Sequence, residues 1–116
     1  IKNWDFSFTK DYDGLYLTND YWVGAAWQMF RDCNSLTDIT FTGTIHIFDE
    51  LNDYRIFRFC DTSKFTRATW ESFVTCCPTV TTTKSLYLGK NQANLDVIPD
   101  DIKEALVNKG YTLVYG

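Results

Sequence analysis

Histidine is almost missing from this chain: His46 is the one imidazole in 116 residues. A zinc site draws on closely paired ligands such as Cys-x₂-Cys, and the four cysteines, Cys33, Cys60, Cys76 and Cys77, have no such spacing. A nucleophilic thiol needs a base in the fold, and His46 stands in no motif that would supply one, so a thiol-dependent enzyme is a remote alternative. A glycine-rich phosphate loop is lacking, as are paired carboxylates beside an imidazole. These absences point to a non-enzymatic chain with no cofactor and no metal. Positive charge is short as well. Eleven Lys and Arg against fifteen Asp and Glu leave a formal charge of −4 and a pI near 4.7, which gives no reason to expect nucleic acid or an anionic membrane surface. No run approaches the roughly 18 apolar residues of a membrane span, so membrane insertion is not expected.

What the chain does have is repetition. Phe-x-x-Cys occurs at Phe30–Cys33, Phe57–Cys60 and Phe73–Cys76, and the first two copies share an arginine and lie 27 residues apart. That interval fits one helix-plus-strand unit stacked on the next, as in leucine-rich solenoids. Cysteine at a fixed repeat position reads as a small buried hydrophobe, which is our expectation for Cys33 and Cys60. In an exported chain disulfides also stay open, since four cysteines allow three connectivities.

Alternation over Lys2 to Phe8 predicts a half-buried strand, followed by a turn at Asp11-Tyr12-Asp13-Gly14 and a short strand at Leu15 to Leu17. The turn has the Asp-x-Asp-Gly of a calcium loop without its later ligands, so it reads as a plain turn. A helix capped by Asn19 or Asp20 is expected to run to about Cys33, with Val23, Ala26, Trp27, Phe30 and Cys33 on one face. Thr37 to Ile47 alternates as a one-sided strand, and Asp49 to Asp53 reads as a solvated loop. Thr66 is placed to cap a helix over 67–77 that Pro78 ends, with Trp70, Phe73, Val74 and Cys77 as its apolar stripe. A polar link over 79–83 leads to a strand at 84–89. A helix over about 99–109 starts at Pro99, carries Asp100 and Asp101 in its first turn and stops at Lys109-Gly110 before a closing strand at 111–115. The fold class expected is α/β: a short leucine-rich-repeat-like solenoid, with parallel strands in one sheet on one face and short helices on the other.

The run from Trp27 to Ile39 resembles the BspA-like (Treponema-type) leucine-rich repeat, whose pattern is aromatic-x-x-Cys-x-x-Leu-x-x-Ile. The C-terminal half resembles the ending of many such arrays. Thr66 to Phe73 matches its capped helix, Lys84-Ser85-Leu86-Tyr87-Leu88-Gly89 its Lys-Thr-Leu-Thr-Leu-Gly strand, and Lys109-Gly110-Tyr111-Thr112-Leu113 its Lys-Gly-Trp-Thr-Leu terminus. The matches touch roughly two thirds of the chain. Residues 1–18 match nothing, 49–64 is irregular, and Phe65 stands where Leu is usual. The resemblance implies an exported, cell-surface adhesion or recognition scaffold of the kind found in gut and oral bacteria, or alternatively a structural part of a phage virion or surface fibre. It carries over no catalytic residues. One domain over 1–116 is expected, with irregular N-terminal strands at 1–18 and repeats plus a C-terminal cap over 19–116. Because solenoid repeats need neighbours to cover their ends, and the first residue is Ile1, an excerpt from the C-terminal end of a longer chain is expected.

Within that reading Trp27, Phe30, Phe57, Trp70, Phe73 and Tyr111 are core residues. Tyr87 points opposite Leu86 and Leu88 on its strand, and with Thr40, Thr42, Thr44, His46 and Thr112 it forms the candidate binding set on the open sheet face. Hydroxyls with one or two rings suit a glycan or a protein ligand, and sheet edges leave room for neighbouring subunits or repeats of the same chain.

Overall fold

Strand alternation is realised in β2, Asp38–Gly43, where Ile39 and Phe41 are buried and Thr40 is exposed. The computed structural model describes residues 3–8, 30, 32–43 and 53–116. The expected turn at 11–14, the strand at 15–17, the helix from 20 through 29 and the strand positions 44–47 lie outside the described residues. β2 pairs in parallel with β1, Asn3–Phe8, in a register that sets Asn3 opposite Asp38 and Phe8 opposite Gly43.

The other edge of β2 is closed by a helix. α1 spans Arg67–Cys76 and is capped by Thr66, whose side chain accepts from the Thr69 N–H. The Thr66 N–H donates to the Thr37 carbonyl at 2.9 Å. The Ile39 N–H donates to Thr69 Oγ1 at 2.9 Å, the Phe41 N–H donates to Ser72 Oγ at 3.1 Å, and the two hydroxyls in turn lie within donating range of the Thr37 carbonyl, just before β2, and the Ile39 carbonyl. Two hydroxyls one helical turn apart thus stand in for a neighbouring strand, satisfying backbone groups that burial would otherwise leave unpaired.

That closure explains a departure from the expected single sheet. Among the described residues, β2 shares a ladder only with β1, whereas a separate three-stranded sheet has the order β3-β4-β5, formed by Asp53–Tyr54, Lys84–Tyr87 and Tyr111–Val114. Both pairings in the second sheet are parallel, with Asp53 opposite Ser85, and Ser85 opposite Thr112. β3 also corrects the reading of Asp53 as the end of a solvated loop, because its backbone belongs to a ladder.

The C-terminal helices follow their sequence signals, with one addition. α2, Gln92–Asp96, was not foreseen: Asn91 and Asn94 cap each other reciprocally, and a Cβ at Gly89 would come within 2.4 Å of Asn94. α3, Asp100–Asn108, buries Ile102 and Leu106. It gives way to Gly110 at φ 105°, where a Cβ would also press on the Val80 carbonyl at 2.7 Å. Lys109, at the end of α3, donates from Nζ to the Val74 and Cys77 carbonyls at 2.6 and 2.8 Å, so its ammonium caps the C-terminus of α1.

Phe57 lies at the centre of the core, fully buried. Its ring stacks on Phe30 at 5.5 Å and 23°, and meets Phe41, Phe65, Trp70 and Phe73 edge-on at 5.1–5.9 Å. The first two Phe-x-x-Cys segments have matching backbones. In each, the Cys N–H donates to the Phe carbonyl, at 3.0 Å for Cys33 and 3.1 Å for Cys60, and the residue before the Cys is left-handed, with φ of 60° at Asp32 and 61° at Phe59. The left-handed Asp32 also ends the expected helix before Cys33, because an α-helix has no place for that conformation. The third copy, Phe73–Cys76, lies inside α1 and has no such turn.

Replacing Thr69 by Val keeps shape but leaves the Ile39 N–H without a partner. We predict a loss of about 1–3 kcal/mol in urea unfolding. Ser72→Ala, at a half-buried position, should cost less.

Candidate functional site

The site is built on the outward face of β3, β4 and β5. On β4, Lys84 and Leu86 are buried while Ser85 and Tyr87 are half-buried, so the strand's two-residue period turns the latter pair outward. The register extends the row: Asp53, Ser85 and Thr112 lie side by side across three strands, with Tyr87 beside Val114. Thr112 is exposed.

Two arginines converge on Tyr87. The guanidinium of Arg55 lies 5.5 Å from the ring centroid, and that of Arg58 lies over the same ring at 5.5 Å and over Phe59 at 4.5 Å. Arg55 is held by Asp53 through two parallel bonds, Nε to Oδ1 at 3.0 Å and Nη2 to Oδ2 at 2.9 Å. Arg58 is paired with no carboxylate among the described residues, and its Nε is a buried nitrogen without a hydrogen-bond partner. Its backbone is fixed from the next residue, where the Phe59 N–H donates to the Gly116 carbonyl at 2.6 Å and the Phe59 carbonyl accepts from the Asp32 N–H at 2.9 Å. One carboxylate and two guanidiniums leave this cluster with a net positive charge, on a chain whose formal charge is −4.

Of the residues singled out in the sequence, Tyr87 and Thr112 share this face. Thr40 is exposed on β2, in the other ladder, and Thr42 lies two positions further along the same strand. Thr44 and His46 lie outside the described residues, as does any pairing of His46 with a thiol. Sequence reasoning missed Arg55, Arg58 and Asp53. The available signal was two arginines three residues apart on either side of a core phenylalanine, in a chain with few cations.

The four cysteines are free thiols. Cys60 is fully buried and its thiol lies 3.5 Å from the Cys33 carbonyl, whereas Cys33 is only half-buried against the core, less enclosed than expected. Burial pushes the Cys60 thiol from 9.0 up to about 12, with Cys33 and Asp61 adding smaller effects. Burial also raises Cys76 and Cys77, against a smaller opposing pull from Lys109. Tyr111 is raised by burial too, and its hydroxyl donates to the Pro78 carbonyl at 2.6 Å. Asp61 is lowered, chiefly by its hydrogen bonds to Ser63 and then by Asn94, whose Nδ2 donates to it at 2.9 Å. Among the described residues, no group of three or more His, Cys, Asp or Glu is arranged to hold a metal ion, and no helix is long and apolar enough to cross a membrane.

No protein-family model matches the chain, and comparison with curated proteins and with solved structures gives no match either.

The raised thiols set the sign of an alkaline effect. Cys60 stays neutral in the native state at pH values where an unfolded thiol ionises, so its contribution to stability is complete below about pH 9 and is lost as pH rises towards 12, and the raised Cys77 acts in the same direction. Unfolding free energy measured from pH 8 to 11 should therefore fall, and fall less steeply in Cys60→Ala. At pH 8, iodoacetamide should label Cys33 in the native protein and reach Cys60 and Cys77 only on unfolding.

Proposed function

We propose that this protein is a non-enzymatic recognition scaffold, a short leucine-rich-repeat-like solenoid of the exported BspA-like kind that binds a glycan or protein ligand through its sheet face. One observation carries the reading: Ser85, Tyr87 and Thr112 stand on the outward side of a parallel sheet, with two guanidiniums drawn onto the tyrosine ring. A tyrosine contacted by two guanidiniums presents a restrained ring and a hydroxyl at little entropic cost on binding. The solenoid part of the proposal is supported by the parallel sense of every described strand pair, and by the two matching turns 27 residues apart whose phenylalanines stack. The non-enzymatic part is supported by where the nucleophiles lie. Three of the four thiols are buried and held protonated, which disfavours the thiolate that covalent catalysis requires.

Binding of the wild-type protein to glycan and protein arrays, compared with a Tyr87→Ala, His46→Ala double variant, tests the proposal. We expect at least a tenfold loss of binding in the variant, with an unchanged far-UV circular dichroism spectrum. Equal binding by both proteins would remove the site from this face, and turnover that depends on Cys76 or Cys77 would overturn the non-enzymatic assignment.

A further inference from the structure

We propose that Arg58 is the anchor of this face and that its ligand is a singly charged acidic sugar, whose carboxylate the guanidinium grips; this deepens the sheet-face reading and rests on it. Arg55 and Arg58 sit three residues apart against the same ring, yet differ in state. The charge of Arg55 is answered by the two-pronged bond to Asp53. That of Arg58 is answered by aromatic faces alone, Phe59 at 4.5 Å and Tyr87 at 5.5 Å, with no carboxylate among the described residues and with Nε buried and unsatisfied. Nε itself is closed off, so the terminal Nη groups, which are not enclosed in the same way, are the donors left to meet a ligand acceptor. A guanidinium laid over rings is also pre-oriented to meet a planar acceptor edge-on.

Charge and neighbours narrow the ligand. The cluster has one positive charge to spare, Asp53 lies beside Ser85 in the sheet register, and the chain as a whole is acidic. A monoanion is favoured over a densely charged polyanion. Beside Arg58 stand the Tyr87 ring, and beyond it in the sheet the hydroxyls of Ser85 and Thr112, opposite each other on adjacent strands. A ring face with a row of hydroxyls offers stacking area and hydrogen bonds for a polyhydroxylated ligand. A carboxylate on a sugar satisfies both parts.

The test titrates the wild-type protein with a glucuronic-acid-terminated disaccharide, its glucose-terminated counterpart, and a blocked peptide carrying a single glutamate. Calorimetry gives affinities, and NMR follows the Arg58 Nε–H resonance. The acidic disaccharide should bind at least tenfold more tightly than the neutral one and shift the Arg58 resonance. Arg58→Gln should abolish that preference, and Arg58→Lys, which keeps the charge without the fork, should not restore it. The resonance reading needs no variant, so it stands even if Arg58→Gln folds poorly. An unmoved Arg58 resonance, equal affinity for the two disaccharides, or tighter binding of the peptide would each overturn the proposal. If the preference fails while the Tyr87→Ala, His46→Ala variant still loses array binding, Arg58 is not the anchor and the sheet-face reading stands.

Discussion

The packing of rings around Phe57 is the constraint on which the rest of the structure depends. Its side chain touches the first Phe-x-x-Cys turn through Phe30, strand β2 through Phe41, the approach to α1 through Phe65, and α1 itself through Trp70 and Phe73. Offset stacking on Phe30 and edge-on meetings elsewhere match the preferences of the aromatic quadrupole, so the cluster favours one arrangement over a merely greasy interior. Arg58 and Phe59 follow Phe57 directly, and burying Phe57 therefore sets where the cationic side chain emerges beside Tyr87.

Polar groups then finish what the rings begin. The hydroxyls of Thr69 and Ser72 meet the edge of β2, and Thr62 Oγ1 donates to the Leu88 carbonyl at 2.7 Å inside the core. Lys109 reaches back to the end of α1, while Asn94 ties α2 to Asp61. Each joins segments roughly 26 to 35 residues apart by a bond to a backbone group or to a buried amide, where a missing partner costs most. On the surface Arg67 pairs with Glu71 within α1 and with Asp101 across to α3, where solvent and salt weaken both bonds.

Much of the fold was legible where one local signal dominates. Thr66 as a cap, Pro78 as a stop, Asp100 and Asp101 in a first turn and Gly110 as an end are short-range chemistry, and the helices and strands of the C-terminal half fall where those residues put them. What was hidden depends on partners far away in sequence. Nothing in the alternation of 37–43 reveals that helix hydroxyls, rather than a strand, occupy one of its edges. β3 is too short for any periodicity, and α2 rests on an asparagine pair with no apolar stripe to announce it. The site was half legible for the same reason. Tyr87 and Thr112 are placed by strand parity, whereas Arg55 and Arg58 reach the ring through turns that the sequence pattern does not describe.

The two 27-residue-spaced turns meet through the Phe30–Phe57 stack, and a double-mutant cycle measures their coupling directly. Unfolding free energies of Phe30→Leu, Phe57→Leu and the double variant should give an interaction energy of about 0.5–1.5 kcal/mol favouring the native pair. Strictly additive losses would mean that the rings are buried independently and that the two turns are not coupled.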